Sequence, residues 1–119
     1  MSIVVNLTPH ALNIVCARGT TRAVPASGQV VRVATERRNI DRFAGINFNR
    51  VVYGPLQGLD LEALVDDAGC EHVVLLVSGM VLCHPELPRD TEAFTFASPG
   101  ELIRNDEGQP IGCDGLTMR

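Results

Sequence analysis

The sequence predicts a mainly β fold (α+β), a small antiparallel barrel or sandwich of about seven or eight short strands with one or two short helices. Three observations predict it. Short apolar or alternating runs are broken at close intervals by Gly, Pro, Asn and Ser. Only two stretches place a helix-capping residue ahead of apolar positions at helical spacing. The core must be built from Val, Leu, Ile and Ala, because the aromatics are four Phe, one Tyr and no Trp. With 119 residues, 45% of them apolar and 20% charged, the chain suits one domain over 1–119. It shows no repeat, low-complexity tract or dividing linker.

The elements follow in order. Residues 2–7 read as a first strand, ending in Asn6-Leu7-Thr8-Pro9-His10. Pro9 fixes its own φ and holds Thr8 extended, so Asn6, Thr8 and His10 are aimed reproducibly, for a ligand or for an ordinary strand-ending turn. Residues 11–17 and 21–24 pair as strands around Arg18-Gly19-Thr20, and Pro25-Ala26-Ser27-Gly28 turns again. Residues 29–35 alternate as a half-exposed strand. Residues 36–45, polar and basic and ending in Ala44-Gly45, read as an exposed loop. Residues 46–53 form the next strand, stopped by Gly54-Pro55. Asp60 caps a helix over 61–67 with Leu61, Leu64 and Val65 on one face. The unbroken run Val73 to Val77 predicts a central strand. Ser78 caps a second short helix reaching His84, ended by Pro85 and Pro88. Phe94 and Phe96 lie in another strand, and 102–104 with 110–113 close as a terminal hairpin.

Charge is distributed unevenly. All ten basic residues are arginine. Residues 1–59 hold seven arginines against Glu36 and Asp41, a net of +5, while residues 60–119 hold three against twelve acids, a net of −9. One half can attract an anion, and the halves can attract each other within one chain or between two copies, unless the fold interleaves them. A net charge of −4, without a helix-turn-helix or stacking platform, argues against duplex nucleic acid as partner. Cys16, Cys70, Cys83 and Cys113 are widely spaced and are expected as free thiols. No apolar run approaches the roughly 20 residues of a membrane span, and no basic-then-apolar leader is visible, so the expected location is the cytoplasm of the cell that makes the chain.

Two constellations carry candidate binding chemistry. One joins Asn6, Thr8 and His10 to Ser78 and Gly79, since both groups follow apolar strands whose ends meet if the strands are parallel neighbours. The other is the arginine set Arg32, Arg37, Arg38, Arg42, Arg50 and Arg89, whose planar forks suit phosphate. Their plain alternatives are turns that satisfy their own backbone and arginines facing solvent, with Arg89-Asp90 an internal pair or loop clasp. Metal ligation by Cys70, His72, Cys83 and His84 fits no common zinc spacing. Val77-Ser78-Gly79 lacks the glycine of a nucleophile elbow, and neighbouring Cys83 and His84 diverge on a helix, so neither metal, cofactor nor catalytic residue is assigned.

The ordered set Asn6-Leu7-Thr8-Pro9-His10, Pro25-Ala26-Ser27-Gly28, Val31-Arg32-Val33, Tyr53-Gly54-Pro55-Leu56-Gln57-Gly58-Leu59, Leu76-Val77-Ser78, Pro88-Arg89-Asp90 and the stretch Leu102 to Cys113 resembles a family of small proteins encoded by tailed bacteriophages, prophages and their hosts. The chain departs from that pattern between Glu86 and Phe96, where Thr91-Glu92 replace a more acidic stretch. The resemblance implies a phage context rather than a chemistry. By analogy with small phage proteins that sequester host immune nucleotides, it implies a non-catalytic homo-oligomer binding a small phosphate-bearing ligand, such as a cyclic or ADP-ribose-type nucleotide. In that reading Arg32, Arg37, Arg38 and Arg89 hold phosphate, and Asn6, Thr8, His10 and Ser78 contact base or sugar. The alternatives are a structural or protein-partner-binding accessory module, and a hydrolase of small nucleotides using His10 with Asp90.

Overall fold

Strands form where the apolar and alternating runs predict them. The computed structural model describes residues 2–69 and 71–119. In chain order the elements are β1 (Ser2–Asn6), β2 (Leu12–Val15), β3 (Thr21–Val24), β4 (Arg32–Phe43), β5 (Ile46–Gln57), α1 (Leu61–Ala68), β6 (His72–Leu76), α2 (Gly79–Leu82), β7 (Phe94–Arg104) and β8 (Pro110–Thr117). Six strands form one sheet in the order β1-β6-β7-β8-β2-β3, and β4 and β5 form a separate ribbon. The six-stranded sheet curls into a nearly closed barrel. Its outer strands meet where Asn6 bridges Ala26 in parallel and the Ser27 N–H donates to the Asn6 carbonyl at 3.0 Å.

The sheet is mixed rather than antiparallel. The pairs β1–β6, β6–β7 and β2–β8 run parallel, while β2–β3 and β7–β8 are antiparallel. A parallel pair needs a crossover, and α2 with the segment 83–93 supplies it between β6 and β7.

β6 shows why its apolar run is unbroken, being buried on both faces. Val73, Leu75 and Val77 join Leu7, Val31, Leu64, Val81, Leu82, Leu87, Phe94 and Phe96 in a core roofed by the two helices. Leu76 points the other way, into the barrel, beside Ile14, Val24, Ala97 and Cys113. α1 starts as predicted, with Asp60 accepting from the Ala63 N–H at 3.2 Å, and α2 starts where Ser78 accepts from the Val81 N–H.

The main departure from the sequence expectation lies between 36 and 57. Residues 36–45 are not a loop, because β4 runs on to Phe43 and turns at Ala44-Gly45, both at positive φ as a two-residue hairpin turn requires. Both faces of β4 beyond Thr35 are exposed, so residues 36–43 lack the polar–apolar alternation that marks a half-buried strand. Nor do Gly54 and Pro55 stop β5. β5 pairs with β4 alone, and an edge strand tolerates proline. A Cβ on Gly54 would lie 3.1 Å from that of Ala34, where the register shifts, so the close approach suits glycine.

Twelve-residue strands make the ribbon an arm about 40 Å long. The radius of gyration is 17.1 Å and the extents are 57 × 41 × 23 Å. A compact chain of this length would measure about 13.5 Å. No helix among the described residues is long and apolar enough to cross a membrane.

Candidate functional site

The arm carries the exposed chemistry. In an antiparallel pair, residues opposite one another share a face. Phe43 lies opposite Ile46, and Phe48 follows two residues later, so these three gather on one face at the tip. Phe43 is 71% exposed, and Ile40, Ile46, Phe48, Val51 and Tyr53 are exposed as well. An exposed apolar group of this size is informative in a way that a lone surface leucine is not.

At the arm's base lies a cleft of about 710 Å³ between the ribbon and α2. Val33, Val51, Tyr53, Met80 and Pro85 give it apolar walls, and Arg50, Cys83 and His84 complete them. His84 fixes this junction. A carbonyl only accepts and an N–H only donates, so Nε2–H donates to the Gly54 carbonyl at 2.8 Å while Nδ1 accepts from the Glu86 N–H at 3.1 Å. Glu86 adds a second tie, its carboxylate accepting from the Leu56 N–H at 3.0 Å.

The arginines do not converge on one hollow. Arg37 lies opposite Val51 and Arg38 opposite Arg50, so adjacent Arg37 and Arg38 project from opposite faces of the ribbon. Arg38 pairs with Glu36 at 3.1 Å, both ends exposed. Arg32 sits at the base opposite Gln57. Arg89 is exposed in the segment after α2, and the clasp expected of it is made by Arg119 instead. The Arg119 guanidinium donates to the Leu87 and Pro88 carbonyls and pairs with Asp90 at 3.1 Å, stacked over the Phe96 ring at 5.7 Å. Two adjacent residues in a loop had suggested the local pair, and nothing in the sequence links the last residue to position 90.

The polar strand ends do meet, because β1 and β6 are parallel neighbours and the Leu7 N–H donates to the Leu76 carbonyl. They meet as a closed joint. Asn6 is 1% exposed. Its amide donates to the His10 and Val24 carbonyls at 2.8 and 3.2 Å, and its Oδ1 accepts from the N–H and hydroxyl of Thr8 at 3.0 and 2.6 Å. Every hydrogen-bonding atom of the Asn6 side chain is therefore engaged inside the protein, and buried Thr8 is engaged with it. Ser78 accepts from the Val81 N–H at the start of α2 and, like Gly79 and His10, is exposed. The expectation that Asn6 and Thr8 face a ligand is corrected on these grounds.

His72 is likewise structural, its Nδ1–H donating to the Glu92 carbonyl and its Nε2 accepting from the Thr95 hydroxyl, each at 2.9 Å. Cys70 lies outside the described residues. Among the described residues no three His, Cys, Asp or Glu side chains cluster as metal ligands, and Cys16, Cys83 and Cys113 are free thiols.

The apolar tip was missed by sequence reasoning. Its signal was present in Ile40, Phe43, Ile46 and Phe48, four large apolar residues inside a polar stretch. No protein-family model, no curated protein and no solved structure matches the chain.

Proposed function

We propose that this protein is a non-catalytic docking module, a small barrel that presents a projecting arm to a protein surface. The observation that carries this reading is the arm itself, a two-stranded ribbon standing off the body with Phe43, Ile46 and Phe48 bared at its tip. An isolated hairpin is marginal in water, and the His84 and Glu86 ties hold this one only at its base. A surface laid along the ribbon would cover the apolar tip and meet arginine forks on either side. The resemblance to small phage proteins fits an accessory part of this kind.

The test places a photoreactive phenylalanine analogue at Phe43 in cells producing the chain. Irradiation is expected to give a discrete protein adduct, with none from the same analogue at Asp106 in the terminal turn. Absence of any protein adduct at the tip overturns the reading.

One observation favours a second reading, sequestration of a small phosphate-bearing molecule. The cleft falls in the size range of ligand sites, and Arg50 on its wall could pair with a phosphate while the walls hold a ring. Calorimetry against cyclic and ADP-ribose-type nucleotides checks it. Binding is expected to be lost in Arg50→Ala, and a panel without heat at micromolar protein removes it.

A further inference from the structure

The structure carries both halves of a contact on one chain, an apolar knob at the arm tip and an apolar cleft at the arm base. They cannot meet within a single molecule. Phe48 and Tyr53 lie five residues apart on β5, about 17 Å along one extended strand. A second copy removes that obstacle. Two arms laid antiparallel about a two-fold axis bring each tip over the other's base, so one symmetry operation fills both clefts.

Charge selects the same partner. The arm holds five arginines against Glu36 and Asp41, a net of +3, in a chain whose net is −4, so the remainder carries −7. The asymmetry seen in the sequence is thus not interleaved by the fold, but separated into a basic arm and an acidic body. Asp41 lies opposite Phe48 on the tip's own face, and Arg50 stands on the cleft wall. Antiparallel arms bring these opposite charges toward each other. Within one arm Arg50 faces Arg38 across the ribbon, a like-charged pair that Glu36 offsets for Arg38 alone. An acid from another copy relieves it.

We propose that the arm docks on a second copy of this chain, with Phe43, Ile46 and Phe48 of each protomer seated in the cleft walled by Val33, Tyr53 and Met80 of the other. This rests on the docking reading above and names its partner.

Cys83 in the cleft makes the arrangement testable by position. In a Cys16→Ser, Cys70→Ser background, Phe43→Cys is combined with native Cys83 and oxidised by dissolved oxygen with a copper catalyst, which takes two electrons and two protons from each thiol pair. A covalent dimer is expected on a non-reducing gel, and none when Phe43→Cys is made with Cys83→Ser. Light scattering on the unmodified chain is expected to give twice the 12.8 kDa monomer, with Met80→Glu, a cleft variant on an exposed side chain, returning it to monomer. A monomer at all concentrations up to a few hundred micromolar overturns the proposal. So does a dimer with no cross-link between positions 43 and 83. A monomer whose tip still gives a photo-adduct with a different protein overturns self-docking and leaves the docking module standing. A chain with neither self-association nor adduct overturns both.

Discussion

Asn6 does more for this fold than any exposed polar residue. One buried amide ties the end of β1 to the His10 carbonyl ahead, the Val24 carbonyl across the gap and Thr8 within the turn. Removing one partner of a buried hydrogen bond leaves the other unsatisfied, at about 1–3 kcal/mol per orphaned group. Asn6→Ala is therefore expected to lower stability by about 2–4 kcal/mol in chemical denaturation. His10→Ala, which keeps the accepting carbonyl, is expected to stay within about 0.5 kcal/mol of the parent. The sequence made the importance of this corner legible, since Pro9 next to three polar side chains marks a shaped turn. It could not show which way the side chains point, because a polar residue at a strand end serves a ligand or its own backbone with the same local pattern. Arg119 was hidden for a different reason. Its partners lie about thirty positions away and depend on β7 and β8 pairing first.

Among the elements, those with one or two buried faces were readable. β6 announced itself by an apolar run, α1 by Asp60 and its apolar stripe, and the β7–β8 hairpin by its Asn-Asp-Glu-Gly turn. Residues 36–45 of the arm were not, since sequence pattern reports burial and this stretch has little, whereas 46–53 read as a strand from their alternation. The parallel pairings were only partly legible, because the unbroken run of β6 suits a parallel strand while the short β2 and β8 carry no such sign. A solvent-facing arm also predicts something about stability. The Phe43→Ser, Phe48→Ser pair removes no core contact, so in dilute solution it is expected to shift the unfolding free energy of the barrel by no more than about 0.5 kcal/mol. Ile46→Ser with Phe48→Ser, made beside the photoreactive residue at position 43, is expected to abolish tip adducts. Denaturant titration beside the irradiation experiment separates the two effects. Glycines in the sheet behave oppositely. A Cβ at Gly100 would collide with the Asp114 carbonyl oxygen, and one at Gly112 would lie 2.7 Å from that of Asn13, so alanine at either site is expected to disturb the barrel while leaving the arm intact.

The whole molecule divides into a body that carries most of the core and an arm whose base packs against it through Val33 and Leu56 and whose tip is exposed. Small-angle scattering of a monomeric variant is expected to return a radius of gyration near 17.1 Å. Joining Thr35 to Tyr53 through a two-residue turn, which keeps Val33, Gly54 and Leu56 in place, is expected to bring it toward the value for a compact chain, about 13 Å for 100 residues. That change is feasible because Thr35 and Tyr53 are opposite one another beyond the last core contacts of the ribbon. The two exits therefore sit one ladder rung apart, whatever lies beyond them. A graft of another hairpin between these points, longer, shorter or differently decorated, leaves every barrel pairing in register. On the docking reading proposed above, recognition is a cassette, free to change while its carrier stays fixed.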